Sequence, residues 1–251
     1  MRQDVEYGKL RTLVEDSVVR INHLPQKGSH LIVSFASIGK GWHLMPPDEF
    51  VGTISKMPNC SGLFISDMTR SWMNSSVLRN TVERVVNEVI AEFEIEKVTT
   101  LGLSMGAFSA LVAPRLFPVD TAIALSPQFS VSREIVPSET RWRHWTKNIQ
   151  DFHFPSVLPI SPMGRVVICH GLVDDYEQMK LFPQQDNVDH FVFPNARHAE
   201  IGKLIKKGGK LSPFITAASA HKKRSVAQIL RGLGGSWRMR YEVSAHGDAA
   251  V

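Results

Sequence analysis

Strand-length apolar runs alternate with helical segments along most of this chain, and that alternation leaves few architectures open to it. Leu31-Ile32-Val33-Ser34-Phe35 follows Gly28-Ser29 and leads into small residues from Ala36 to Gly41. Leu63 to Ser66, Val98 to Leu103, Thr121 to Leu125, Arg165 to Cys169 and His190 to Phe193 repeat the pattern. Runs apolar at successive positions predict strands buried on both faces. Between them, Ser75 to Glu94 carries Leu78, Val82, Val85, Val86, Val89, Ile90 and Phe93. Their spacing of three and four residues is that of a helix with one buried face. Ala107 to Phe117 and Ala199 to Lys207 read as further helices, the second closed by Gly208-Gly209. The fold class is therefore α/β, a mostly parallel central sheet flanked by helices on both faces. Ahead of it, Lys9 to Val14 and Val18 to Ile21 surround Glu15-Asp16-Ser17 and predict an N-terminal β-hairpin.

A chain of 251 residues, 43% hydrophobic and 21% charged, has enough apolar surface for one large core, and no tract suits a collagen-like or disordered reading. The α/β domain is expected over residues 1–210, with a basic C-terminal helix and tail over 211–251. Residues 126–163 break the strand–helix rhythm and contain Trp142, Trp145, Phe152 and Phe154. Such an insertion serves either as a lid facing substrate or as an excursion that its tryptophans dock to the core. Charge is also unevenly placed. Residues 1–200 hold 19 Lys and Arg against 22 Asp and Glu, whereas residues 201–241 hold 10 basic residues and no acid. The basic stretch, including Lys203, Lys206, Lys207, Lys210, Lys222, Lys223 and Arg224, is either a solvated face or a site for an anionic surface, substrate or partner.

Chemistry is suggested at the third of these core strands. Gly102-Leu103-Ser104-Met105-Gly106 matches G-x-S-x-G where a strand ends and a helix begins, the setting of a nucleophile elbow. A serine in so sharp a turn has a strained backbone, and the flanking glycines let chain pack where a Cβ would clash. A serine hydroxyl needs a base to take its proton, and the base needs an acid to hold its tautomer. Of the ten histidines, His198 lies in the loop after the last core strand, on the sheet edge that carries Ser104. His170 ends a strand and reads as structural. Asp174 stands three residues beyond Gly171 in the loop after the preceding strand, and is taken as the acid with Asp175 as the fallback. One of the two is expected to cap a helix.

With these elements in place, residues 28–208 resemble the α/β-hydrolase fold superfamily, in a compact form because the sheet reads as short at its N-terminal side. The resemblance rests on the elbow Gly102 to Gly106, the turn from Gly171 to Asp174, and His198 after the final strand. It implies an acyl-enzyme mechanism with Ser104 as nucleophile, His198 as base and Asp174 as orienting acid. It also implies an oxyanion hole formed by the N–H of Met105 and that of Ala36 or Ser37, although Phe35-Ala36-Ser37-Ile38-Gly39 lacks the His-Gly-Gly of many esterases. The function expected is hydrolysis of a carboxylic ester or thioester. Acyl transfer, peptidase activity or a non-catalytic binding role on the same fold are the alternatives.

Arg70, Trp72, Trp142 and Trp145 are candidate substrate contacts, the first two because Asp67 to Asn74 also follows a core strand. Gly39-Lys40-Gly41 and Gly232-Leu233-Gly234-Gly235 complete no phosphate-loop pattern. Cys60 and Cys169 form neither a disulfide framework nor a zinc spacing, so no metal and no cofactor are expected. No run of 18 apolar residues is present and Met1 to Leu10 lacks a signal-like core, which gives a cytoplasmic expectation with no integral membrane segment.

Overall fold

The computed structural model describes residues 6–39, 41 and 44–241. Lys40 and His43, together with residues 242–251 of the expected tail, lie outside them. Among the described residues nine strands form one sheet in the order β1-β2-β4-β3-β5-β6-β7-β8-β9. They are β1 (Arg11–Glu15), β2 (Val19–Leu24), β3 (His30–Phe35), β4 (Cys60–Asp67), β5 (Lys97–Leu103), β6 (Thr121–Leu125), β7 (Arg165–Gly171), β8 (Val188–Phe193) and β9 (Ser236–Trp237). From β4 through β8 the neighbours run parallel, while β1 against β2, β2 against β4, and β9 against β8 are antiparallel. This is the mostly parallel α/β sheet that the alternation predicts. The sheet is not short, however. The hairpin β1–β2 joins it through β2, whose Val19 and Ile21 are fully buried.

The strands face two cores because successive side chains point to opposite sides. Val33, Leu63, Ile65, Ala122, Ala124, Val166 and Ile168 enter one core. Their neighbours Ile32, Phe64, Ile123, Leu125, Val167 and Cys169 enter the other. On the first side lie α2 (Ser76–Glu92) and α3 (Met105–Val112), with much of the 126–163 insertion and its single short helix α4 (Arg143–Thr146). Helix α2 starts where Ser75 Oγ accepts the Leu78 N–H, and it buries Leu78, Val82, Val85, Val86 and Val89. Each such side chain contributes about 1.5–3 kcal/mol of transfer free energy.

On the second side lie α1 (Val51–Ile54), α6 (Ile201–Lys207), α7 (Leu211–Ser219) and α8 (Lys223–Arg231), while α5 (Leu172–Met179) follows β7 directly. The expected boundary at residue 210 is not a boundary in the structure. Leu211, Phe214, Ile215, Ala218, Val226, Ala227 and Leu230 belong to the second core, and β9 extends the sheet. Their apolar faces can only be buried against the sheet, so residues 211–237 are part of the domain. Much of the basic stretch is the solvated side of α6 and α8, but Arg238 is buried, donating to the carbonyls of Phe182 (2.7 Å) and Lys180 (3.2 Å).

Candidate active site

The carboxyl ends of β5, β6, β7 and β8 bring together side chains from four loops. Ser104 stands between β5 and α3 with φ 57° and ψ −120°, a conformation that costs a non-glycine residue on the order of 1–3 kcal/mol. The turn exists because Gly102 and Gly106 permit it. A Cβ on Gly106 would overlap the Phe35 carbonyl oxygen at the end of β3, and one on Gly102 would overlap the Gly106 carbonyl. Ser104 N–H donates to Leu125 O at 2.9 Å, tying the elbow to β6. Ser104 itself is buried.

His198 follows β8 at the start of a short 3-10 turn and is also buried. The carboxylate behind its ring is Asp175, whose Oδ2 and Oδ1 lie 2.8 and 2.9 Å from Nδ1. Asp174, expected in that role, instead accepts the His198 backbone N–H on Oδ1 at 2.6 Å. The reason is local. Helix α5 begins at Leu172, immediately after Gly171, so adjacent residues are rotated by about 100° around the helix. One carboxylate then meets the histidine backbone and the next meets its ring. Gly171 allows this join, since a Cβ there would lie 2.5 Å from Ala196 O.

Asp175 is held from its other side by the insertion. Arg141 Nη1 donates to Asp175 Oδ1 at 2.8 Å, while Nη2 and Nε of Arg141 reach both Glu139 oxygens at 2.6–3.2 Å. Gln178 of α5 donates to Glu139 Oε2 at 3.0 Å and accepts the backbone N–H of Phe129 at 2.7 Å. Burial alone would raise the Asp175 pKa. The hydrogen bond with His198 and the positive charge of Arg141 are among the influences that outweigh it and hold the carboxyl below its ordinary value. Asp175 is therefore an ionised partner for the His198 Nδ1–H.

Around Ser104 the structure adds a residue that no sequence pattern marked. Gln128, in the loop after β6, donates from Nε2 to Ser104 Oγ at 3.1 Å. Its amide orientation is fixed by Trp72, whose Nε1–H reaches Gln128 Oε1 at 3.0 Å. Beneath this loop, His170 Nε2–H donates to Pro127 O at 2.8 Å, so His170 Nδ1 must accept from His190 Nε2–H, also at 2.8 Å. Both rings are neutral in that arrangement. Burial, the largest influence, lowers the His170 pKa to about 4 and that of His190 well below its ordinary value.

The candidate substrate contacts divide. Arg70 and Trp72 are fully buried and cannot meet substrate in this arrangement, which corrects the expectation for both. Arg70 donates to the carbonyls of Ile38, Gly41, Leu44 and Met68 at 2.5–3.2 Å and stacks on Trp145 at 4.8 Å, so it organises the loop after β3. Trp145 thereby packs against that loop. Trp142 alone of the four lies beside the histidine, with ring centroids 5.4 Å apart. Among the described residues, Trp142 Nε1 and His198 Nε2 are buried without hydrogen-bond partners. Leaving such groups unpaired costs roughly 1–3 kcal/mol each, so both atoms have hydrogen-bonding capacity left beside the Ser104 edge of the sheet.

Of the expected oxyanion donors, Met105 N–H opens helix α3 and so has no acceptor one turn back. Ala36 N–H is committed to Ile65 O at 2.9 Å, which removes it. Ser37, the next residue, turns both its Oγ–H, at 2.5 Å from Oε1, and its backbone N–H to the Glu49 carboxylate, which removes it as well. Among the described residues no group of three or more His, Cys, Asp or Glu is placed to hold a metal, and no helix is long and apolar enough to cross a membrane.

No protein-family model matches the sequence, and no curated protein does. Solved structures do resemble the fold. A chain of the glycosylation-associated Gap123 complex of Streptococcus agalactiae aligns with a TM-score of 0.59 and 10% identity over 83% of this chain and 46% of that one. This chain thus spans a little under half of that match. The thermophilic esterase Est2 of Thermogutta terrifontis aligns at 0.55 with 17% identity, over 84% and 90% of the two chains. FphF, a fluorophosphonate-binding serine hydrolase of Staphylococcus aureus, gives 0.51 and 12% over 80% and 95%. These structures share the mostly parallel α/β fold of this chain. At these identities the likeness speaks for architecture alone.

Proposed function

We propose that this chain is a serine hydrolase that cleaves a carboxylic ester or thioester through an acyl-enzyme. The observation that carries the reading is the left-handed Ser104 at the elbow, on the sheet edge that also holds the His198–Asp175 pair. Strain of this kind persists only where surrounding structure imposes it, and here two glycines and the Leu125 hydrogen bond do so.

In the proposed reaction Ser104 Oγ attacks the substrate carbonyl carbon and its proton passes to His198 Nε2, whose lone pair is uncommitted. Hydrogen bonds of this kind commonly tighten only when substrate is bound. Asp175 keeps the His198 proton on Nδ1 and stabilises the imidazolium, and Arg141 fixes the carboxylate that does so. The N–H of Met105 is assigned to the carbonyl oxygen as it becomes an oxyanion. His198 then returns its proton to the leaving oxygen or sulfur, and water repeats the cycle on the acyl-enzyme. Gln128 Nε2 holds Ser104 Oγ in position, with Trp72 as its brace.

The reading is tested by turnover of p-nitrophenyl esters of graded acyl length by the purified protein and by Ser104→Ala. Wild type should turn over at least the short esters, and Ser104→Ala should lose that activity by about 10⁴-fold or more. A folded wild type that hydrolyses none of them, or a variant as active as wild type, refutes it.

A further inference from the structure

A cavity of about 720 Å³ opens on the α6 side of the sheet, lined in part by residues next in sequence to the candidate active site. Its wall includes Leu103, the residue before the proposed nucleophile, and Ala199, the residue after the proposed base. Three lysines from two separate elements also line it. Lys56 follows α1, and Lys203 and Lys206 lie three residues apart on one face of α6. A macrodipole argument accounts for Lys206, at the C-terminal turn of α6, but not for Lys56 on another element.

Their charge is not balanced locally. None of the three forms an ion pair with another described residue, whereas Lys223 of the same basic stretch lies 3.2 Å from Asp189 Oδ1. Two acids also line the cavity. Asp48 is already paired, taking Arg20 at 3.1 Å, Asn22 at 2.6 Å and Ser66 at 3.2 Å. Glu49 gives one oxygen to Ser37, and its other oxygen is buried without a partner. Burial raises the Glu49 pKa, which disfavours a negative charge there. The cavity therefore carries more uncompensated positive than negative charge, beside apolar Leu103 and Leu211.

We propose that this cavity receives an anionic group, a carboxylate or a phosphate, carried by the ester substrate, with Lys56, Lys203 and Lys206 as its counter-charges. The proposal rests on the serine-hydrolase reading and narrows it to a substrate class. It also gives a function to part of the basic stretch, as a short-range subsite in place of a broad surface.

Matched ester pairs test it. With the charge on the leaving group, 4-acetoxybenzoate and 4-acetoxyphenyl phosphate are compared with neutral methyl 4-acetoxybenzoate. With the charge on the acyl group, mono-4-nitrophenyl succinate is compared with 4-nitrophenyl butyrate. We expect kcat/KM for the anionic member of at least one pair to exceed that for its neutral partner by about tenfold or more, as charge-assisted contacts of this kind provide. The ratio should shrink as NaCl is raised, because the three lysines are exposed and their charges are screened. It should fall toward one in Lys203→Gln/Lys206→Gln and invert in Lys203→Glu/Lys206→Glu. Hydrolysis of neutral and anionic esters at equal rates, or a preference unchanged in both lysine double variants, overturns the proposal while leaving the hydrolase reading intact. Failure to hydrolyse either member of every pair overturns that reading and this proposal with it.

Discussion

Replacing Asp175 by asparagine should abolish nearly all turnover, for a reason that the surroundings of the carboxylate dictate. A carboxamide retains one oxygen. Arg141 Nη1 only donates and lies 2.8 Å from Oδ1, so the amide oxygen must stay there and the amide NH₂ must take the Oδ2 position, 2.8 Å from His198 Nδ1. Nδ1 then faces a donor at 2.8 Å in place of one of its two acceptors, which favours the tautomer with the ring proton on Nε2, and in that tautomer His198 lacks the lone pair that would deprotonate Ser104. The wrong tautomer in a triad of this kind costs about 10⁴-fold in kcat, on the order of 5 kcal/mol. Asp174→Asn keeps an oxygen for the His198 backbone N–H and should stay within about tenfold of wild type. Steady-state kinetics on p-nitrophenyl acetate measures both, with thermal unfolding to show that each variant is folded. A collapse in Asp174→Asn beside near-normal Asp175→Asn would refute the assignment of the acid.

Other consequences follow from the same contacts. Gln128→Leu removes the donor to Ser104 Oγ and should lower kcat/KM about tenfold, with Trp72→Phe acting in the same direction but less strongly; kinetics on both variants checks this. Gly106→Ala should lower the melting temperature sharply, because its Cβ would overlap the Phe35 carbonyl, and calorimetry reads a loss of several kcal/mol. The neutral His170–His190 pair makes stability depend on pH. His170 titrates at about 4 when folded and near 6.5 when unfolded, so between these values the unfolded chain binds the extra proton. Stability from this group is full above pH 6.5 and declines by on the order of 3 kcal/mol as pH falls to 4. Denaturant titrations at pH 7.5, 5.5 and 4.5 should show that decline, and constant stability across them would contradict it.

The strand–helix alternation is readable because parallel strands buried on both faces have no solvent-facing positions, so apolar residues dominate each run. That same signal is weak toward the edge, where β2 has one antiparallel neighbour on each side, so the sequence predicts the hairpin but not that it forms the sheet's margin. Residues 211–237 read as a basic extension because the run Lys222-Lys223-Arg224 sits among them, although apolar residues outnumber basic ones there. The buried face of α8 consists of only Val226, Ala227 and Leu230. At the site, Ser104 and His198 each follow from a strand-end setting. Asp175 does not, since choosing between adjacent carboxylates requires the phase of a helix whose start residue is set by Gly171 packing against Ala196. Gln128 and Arg141 carry no periodic or spacing signal, and their positions depend on how the insertion folds back over β6 and α5. Arg70 and Trp72 sat at the right edge of the sheet, but the left-handed backbone at both turns their side chains inward.

The most direct measurement is the intact mass and peptide map of the protein after treatment with a fluorophosphonate. The account predicts one adduct per chain, located on Ser104, with no adduct in Ser104→Ala and labelling slowed by at least about 10³-fold in His198→Ala. An unlabelled folded wild type, or an adduct that persists in Ser104→Ala, would contradict it.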